Sequence, residues 1–396
     1  MKKIVYGKNV YGSEEINAVN KALRRTTQMS KYVSLFEKKI SNKFSKKFGI
    51  MVNSGTSAIM LALKVLKLKA GDEVIIPCLN FGTAVSSLML CELRPILVDI
   101  DLFTLQIDEK LIEKKITKKT KALLIPNLIG NIPNWEVLKK ISKKYNLKLI
   151  EDSADTLGAT YKGRPTGYYS DASITSFYGS HVISCAGNGG MLTLNNKSEY
   201  DKARTLRSWG RSSSLLKDSE NIKERLNISL MGYNYDKKFV FSDIGYNFEP
   251  SEIGAAFGLE QLKKLKNFSQ KRQTHFEYHY NFFNKLKEYF IVPKILPNVK
   301  TNFLAYPIIL KENKKYNRKK LQIFLENCGI QTRPIFTGNL LRHPAFSSII
   351  SSRNKLNGFP NSDYIMKNGI LIGCHQGLTI KNLRFIHNAI LKFIQK

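Results

Sequence analysis

Ala122-Leu123-Leu124-Ile125-Pro126, a helical pattern over 134–145, and Leu147-Lys148-Leu149-Ile150-Glu151-Asp152 spell a strand, a helix and a second strand. The apolar runs are near-continuous rather than alternating, so both faces of each strand are to be covered. The same order repeats outward. Further strand-like runs are Gly49-Ile50-Met51-Val52, Glu73-Val74-Ile75-Ile76-Pro77, Pro95-Ile96-Leu97-Val98-Asp99 and Ala172-Ser173-Ile174-Thr175-Ser176-Phe177, with helical patterns at 56–67 and 82–91. This alternation predicts an α/β fold, a mostly parallel sheet between helices, with ligands at the carboxyl ends of the strands. Ser13-Glu14-Glu15 opens an amphipathic helix with Ser13 as its N-cap. A long helical stretch at 251–290 leads to shorter strands at 302–310 and 329–335 and a last helix at 379–394. The expectation is a large α/β domain over 1–265 and a smaller C-terminal α+β domain over 266–396.

At 396 residues the chain is long enough for two or three domains and a buried cofactor. It has no apolar run of spanning length, which excludes a membrane helix. Its start, Met1-Lys2-Lys3-Ile4-Val5-Tyr6-Gly7, lacks the apolar core of a signal peptide. Five scattered cysteines (78, 91, 185, 328, 374) with no CxxC point to a reducing cytoplasm, not a disulfide framework or zinc ribbon. The net charge of +32 asks whether the chain binds nucleic acid. Only 14 of the 63 basic residues are Arg, and the lysines are dispersed, many as pairs on helix faces. Readers of phosphate geometry concentrate Arg forks in one patch. The excess is read as solvated surface, whose field attracts a small anion.

Four segments carry chemistry. Gly55-Thr56-Ser57 closes the first strand and opens a helix, where backbone N–H groups and the helix dipole grip a phosphate. Glu151-Asp152 ends another strand; a carboxylate there needs a cationic partner, such as a protonated pyridine nitrogen. Ser176-Phe177-Tyr178-Gly179-Ser180-His181 and Gly187-Asn188-Gly189-Gly190-Met191 form a glycine-rich stretch after a third strand end.

With Val52-Asn53-Ser54-Gly55-Thr56-Ser57-Ala58, Glu151-Asp152-Ser153-Ala154-Asp155, Ser176 to Gly190 and Gly245-Tyr246-Asn247-Phe248 in this order, the chain resembles the DegT/StrS family. These are sugar aminotransferases of the fold-type-I pyridoxal-phosphate superfamily, and the likeness runs from about residue 10 to the C-terminus. The resemblance implies a homodimer with shared active sites. It implies that Gly55, Thr56, Ser57 and Ser176 hold the cofactor phosphate, with Asn247 reaching in from the partner subunit. Phe81, in Pro77-Cys78-Leu79-Asn80-Phe81, matches the aromatic that stacks on the pyridine ring. Asp152 matches the partner of the pyridinium nitrogen, which keeps the ring an electron sink. Asp155 stands near the ring hydroxyl, where most of the aminotransferases have Gln. Asn188 replaces a Glu that many relatives carry.

One departure changes the expected reaction. The aminotransferases carry a Schiff-base lysine where this chain has His181, and no lysine lies between Lys162 and Lys197. Imidazole forms no stable Schiff base, so pyridoxal or pyridoxamine phosphate is expected to be held non-covalently. Histidine can still act as a base near neutral pH. In the family this substitution marks the sugar 3-dehydratases, which remove the 3-hydroxyl of a nucleotide-linked 4-keto-6-deoxy sugar; in one kind glutamate regenerates pyridoxamine phosphate. Another kind carries a [2Fe–2S] cluster. The segments Arg207-Ser208-Trp209-Gly210-Arg211 and Arg333-Pro334-Ile335-Phe336-Thr337-Gly338-Asn339 resemble that second kind, yet Ser212, Ser213, Ser214 and Ala154 stand where its cysteines are expected. Hydroxyls and a methyl do not replace thiolates on iron, so no cluster and no metal is expected.

Arg333 is expected to reach a phosphate or the glutamate carboxylate, and Asn339, His343 and His375 to line the sugar pocket. His275, His279 and His387 are read as structural. The function expected is 3-dehydration of such a sugar for lipopolysaccharide or capsule. Two alternatives stay open: an aminotransferase that manages without lysine, and a catalytically silent binder of sugar nucleotide or cofactor.

Overall fold

The computed structural model describes residues 3–395 apart from 217 and 219; Met1 and Lys2 of the opening segment lie outside that range. Helices α1 (Ser13–Leu23) and α2 (Lys31–Lys43) precede β1 (Phe48–Val52), α3 (Gly55–Val65), β2 (Glu73–Pro77), α4 (Gly82–Leu90), β3 (Arg94–Val98), β4 (Thr120–Pro126), α5 (Trp135–Lys144), β5 (Lys148–Asp152), β6 (Ala172–Ser176), β7 (Gly190–Leu194) and α6 (Lys197–Arg207). The strands form one seven-stranded sheet of order β1-β7-β6-β5-β4-β2-β3. Neighbours from β6 to β3 are parallel, and β7 runs antiparallel between β1 and β6. The sequence reading passes over β7, because its run is short and emerges directly from the glycine-rich stretch.

Alternate residues of the strands explain the near-continuous apolar runs. Val74, Ile76, Leu124 and Ile150 pack with α3 and α4 on one face. Ile75, Leu123, Ile125 and Leu149 pack on the other, against Trp135, Leu138 and Ile141 of α5.

Helix α7 (Glu252–Phe283) is continuous over 32 residues, and position 265, the expected domain boundary, lies inside it. Beyond it, strands Phe290–Ile291, Ala305–Leu310, Gly369–Gly373 and Arg333–Pro334 form an antiparallel sheet in that spatial order. Helices Arg318–Asn327 and Ile380–Gln395 cover it through Leu321, Leu325, Leu383, Ile386 and Ile390. Ile4 joins this C-terminal core and bridges Ile330, so the first residues belong with the last quarter of the chain. The strand expected over 329–335 contracts to Arg333–Pro334, since the main chain of Gly329 and Gln331 is bonded instead to Ile4 of the N-terminal segment. At α1 the cap is Gly12 rather than Ser13: the Glu15 carboxylate accepts the Gly12 N–H at 2.9 Å, closing the first turn.

One carboxylate ties the two halves of the large layer together. Glu252, buried at the start of α7, accepts the main-chain N–H groups of Ser30, Tyr32 and Val33 at 2.9, 2.7 and 3.1 Å. It thereby caps α2, whose own Ser30 side chain makes no capping bond. Glu252→Ala orphans these donors and is expected to lower the unfolding free energy by about 2 kcal/mol or more, measured by chemical denaturation.

Candidate active site

The carboxyl ends of β1, β4, β5 and β6 open on a cavity of about 860 Å³, whose far wall comes from residues 331–337, 343 and 371. The chain reaches it from β1 through Asn53 and Ser54. Ser54 caps α3 by accepting the Ser57 N–H at 3.1 Å, which leaves Gly55 and Thr56 on the cavity at the helix N-terminus. Ser57 itself turns inward: its hydroxyl donates to Asn53 Oδ1 at 2.6 Å and does not line the cavity. Gly55 is required by the close approach of β6, because a Cβ there would lie 3.0 Å from Ser176 Cβ. The helix N-terminus and the Ser176 hydroxyl are thus pressed together, a cradle suited to a phosphate.

Across the cavity, Phe81 is the residue before α4. It is 59% exposed, its ring meeting Phe336 only edge-on at 6.2 Å, so a flat aromatic face lies open. Asp152 ends β5 with Oδ1 accepting the Ala154 N–H at 3.0 Å. Burial holds its carboxyl up at about 6, against that hydrogen bond. Burial, with the Asp152 charge next, pushes Asp155 up to about 7, although its Oδ2 accepts the Ile129 N–H at 2.9 Å. A buried carboxyl at Asp155 and a half-buried one at Asp152 would both be favoured in their charged form by a cation placed beside them.

His181 occupies a turn between β6 and β7. The loop folds back on itself through Phe177 N–H to Gly189 O at 2.9 Å and Gly179 N–H to Gly187 O at 3.0 Å. His181 Nδ1 lies 2.6 Å from the Ala154 carbonyl and 3.7 Å from Asp155 Oδ1. A carbonyl can only accept, so Nδ1 carries the proton and Nε2 keeps its lone pair. Burial pushes the imidazolium down to about 4, so the ring is neutral at pH 7. No lysine lines the cavity among the described residues.

The remaining expected site residues divide. Arg333 lines the cavity with one guanidinium donor on its neighbour's carbonyl, Thr332 O, at 2.8 Å. His343 lines it too, its Nε2 2.8 Å from Thr337 O. Asn339 and His375 lie outside it, correcting the expectation for the sugar pocket. Asn339 is fully buried, its amide donating to Asp363 Oδ1 at 2.9 Å while its own oxygen caps a short helical turn. His375 is buried with Nε2 3.1 Å from Val5 O. Asn247 lies outside this chain's own cavity, its carbonyl accepting from the Asn53 amide at 3.3 Å. Asn188, Tyr178 and Ser180 all line the cavity.

Tyr6, Asn80, Gln331 and Thr337 were not singled out, yet all four line it. Tyr6 arrives because its segment pairs with the C-terminal part, its N–H donating to Gln331 Oε1 at 2.9 Å. Nothing in its local sequence signals this; Asn80, next to Phe81, carried a positional hint. Among the described residues no group of three His, Cys, Asp or Glu side chains is placed to hold a metal ion, and no helix is long and apolar enough to cross a membrane. The five cysteines are free, with Cys185 buried and its thiol pushed well up by burial.

Sheet order, a cradle at a helix N-terminus and a half-buried carboxyl at a strand end define a fold-type-I aminotransferase fold. Residues 9–391 match the profile of the DegT/DnrJ/EryC1/StrS aminotransferase family, and the chain belongs to that family. It is 32% identical to the lipopolysaccharide biosynthesis protein RfbH of Salmonella typhimurium, over 97% of this chain and 90% of that protein. It is 31% identical to a GDP-4-keto-6-deoxy-D-mannose 3-dehydratase of Escherichia coli O55:H7, over 88% and 89%. A GDP-perosamine synthase of Escherichia coli O157:H7 is similar at 32%, over 84% of each chain. Among solved structures, a GDP-4-keto-6-deoxymannose-3-dehydratase with a trapped PLP–glutamate geminal diamine superposes with a TM-score of 0.86 at 28% identity, covering 98% of this chain and 99% of that one.

Pyridoxal phosphate is typical of the family, and the residues present fit it: a cradle at Gly55 and Ser176, an open aromatic face at Phe81 and a half-buried carboxyl at Asp152. The raised carboxyls also make a stability prediction for the cofactor-free protein. Asp155 titrates at about 7 when folded and near 3.8 when unfolded, so the stability it contributes is full below about pH 4 and is lost as pH rises through 7. Asp155→Asn removes that loss. Its melting temperature is expected to exceed that of the parent by more at pH 8 than at pH 5, read by differential scanning fluorimetry.

Proposed function

We propose that this chain is a pyridoxamine-phosphate-dependent 3-dehydratase of a nucleotide-linked 4-keto-6-deoxy sugar, serving deoxysugar and lipopolysaccharide synthesis. The observation that carries the reading is His181: a neutral imidazole with Nε2 free, in a cavity that no lysine among the described residues lines. The relatives named above include both a dehydratase and a perosamine synthase, so the residues of this cavity must choose between them.

When bound, the cofactor supplies an amine for the 4-keto group and a ring that accepts electrons. Asp152 would meet the ring nitrogen as a carboxylate, a cation there offsetting the cost of its burial. Phe81 would cover the ring face, and Gly55, Thr56 and Ser176 would hold the phosphate, with Asn247 of a partner subunit completing the cradle in a homodimer. Ser57 would act only by shaping the helix end. Asp155 would lie by the ring hydroxyl while bracing His181.

His181 Nε2 would take the proton whose departure drives loss of the sugar's 3-hydroxyl. Its low basicity favours holding the proton only briefly and passing it to the departing hydroxyl as water. A lysine amine in its place would favour delivery to the sugar carbon and hence transamination. Arg333, with free N–H groups on the cavity, would take an anionic group, either the glutamate carboxylate or a substrate phosphate. Glutamate as amino donor is supported by the PLP–glutamate adduct in the solved dehydratase.

The test is the product formed with pyridoxal phosphate, glutamate and a panel of CDP-, GDP- and dTDP-4-keto-6-deoxy sugars. Mass spectrometry is expected to find a product that has lost the 3-hydroxyl; an amino sugar would overturn the reading in favour of an aminotransferase. No glutamate half-reaction and no absorbance change with cofactor would leave a silent binder. His181→Ala is expected to lower the rate at least about 100-fold. Borohydride treatment of the loaded protein is expected to leave the chain mass unchanged.

A further inference from the structure

Arg272 is fully buried in α7, and its guanidinium donates to acceptors from three other parts of the chain. Nε donates to Gln376 Oε1 at 2.7 Å. Nη1 donates to the carbonyls of Phe303 and Leu304 at 3.0 and 3.1 Å, and Nη2 to the carbonyl of His181 at 3.4 Å. Gln376 extends the frame, its amide donating to the Val182 carbonyl at 3.4 Å. Two consecutive carbonyls of the His181 turn are therefore held by Arg272 and by the residue that Arg272 itself holds. The other side of the turn is fixed by Ala154, through Nδ1.

Asp155 faces this cation but accepts no hydrogen bond from it. Among the described residues, none of its contacts is a carboxylate. A buried, unpaired guanidinium is a poor device for stability, since an apolar side chain fills such space at less cost. A charge kept under these conditions points to work done by the charge. The titratable groups that face it are Asp155, Tyr6 of the N-terminal segment, Cys374 and His375 of the C-terminal part, and His275 of its own helix. Those that face His181 are Asp155 at 3.7 Å and Arg272 itself, with Tyr178 edge-on at 6.3 Å.

We propose that Arg272 is a positioning residue for His181: its fork fixes the turn that aims the ring, and its charge adds to burial in opposing a second positive charge on that ring. A second positive charge on His181 would be placed against the first in a site that water does not screen. The same field favours the carboxylate of Asp155, opposing the burial that raises it. Burial remains the larger cause of the low basicity of His181, the Ala154 carbonyl works against it, and Arg272 adds to it.

The inference rests on the reading of His181 as the base, but its test needs no substrate. Full-length protein labelled with ¹³C and ¹⁵N in histidine carries six histidines, and His181→Asn assigns the resonance. The parent is expected to show His181 protonated on Nδ1 and neutral down to a pH of about 4. Gln376→Glu sets a carboxylate against Nε, opposing the field, and gives up the amide's bond to the Val182 carbonyl. It is expected to raise the proton affinity of His181 about tenfold or more. Arg272→Met is expected to do the same, and Arg272→Lys, which keeps the charge, to hold His181 near its parental midpoint. A merely structural Arg272 would change the melting temperature in all three variants without moving the His181 titration. An unmoved midpoint in Gln376→Glu overturns the proposal even where Arg272→Met fails to fold. A shifted midpoint in a protein that dehydrates no sugar would keep this role and sink the reaction. An unmoved one in an active dehydratase would do the reverse.

Discussion

The site depends on one backbone contact. Gly190, the first residue of β7, passes so close to the α3 cap that a Cβ there would lie 2.2 Å from the Ser54 carbonyl oxygen. Because β7 pairs with both β1 and β6, this contact sets the ends of those two strands side by side. The N-terminus of α3 is then delivered onto Ser176. Any side chain at 190 would wedge the helix end away from the strand end and open the cradle. The loop that leaves β6 and returns as β7 is tied at both ends by the same pairing, which confines His181 to the mouth of the sheet.

Electrostatics follows from that geometry. Parallel strands end at a common edge, so the carboxyls of Asp152 and Asp155 and the ring of His181 are gathered where water is largely excluded. Burial acts on all three in the neutral direction, raising the acids and lowering the base. The result is a pocket that gains from binding a cation beside the acids and that keeps the imidazole neutral. The one fixed charge beneath it is Arg272, which reaches the edge from α7 and the C-terminal sheet.

The order of the strands, their burial on both faces and the helices between them were legible in the apolar periodicity, because both faces of the sheet need covering. The placing of Gly55, Asp152, Ser176 and His181 at or just after strand ends was legible too, since local sequence dictates local geometry there, whereas Phe81 was reached only through the family resemblance. The rest was hidden for a common physical reason. Tyr6 and Gln331 reach the cavity only through pairing between the first residues and the last quarter of the chain, and Arg272 looks like any helix residue until its burial is known. Asn339 and His375, placed from their segments alone, lie instead at buried turns, where Asn339 accepts the Leu341 N–H and His375 the Gly377 N–H. The +32 charge carries the same lesson, as most of it decorates helix faces and only Arg333 brings a guanidinium to the cavity wall.

On the proposed reading, the exchange of lysine for histidine shifts a load onto the rest of the pocket. A lysine both anchors the cofactor covalently and moves protons; an imidazole does only the second. Retention of the cofactor then falls on the phosphate cradle, the aromatic face of Phe81 and the charge of Asp152, none of which reaches the reacting carbon. A base that is not bonded to the cofactor must also be aimed by something else. The contacts on His181 answer to that need: the Ala154 carbonyl fixes the tautomer, and Arg272 and Gln376 hold the main chain on either side of the following peptide. In such a site the precision that a covalent bond would have supplied is distributed over hydrogen bonds from three separate segments, and the C-terminal part of the chain helps to aim the base rather than only covering it.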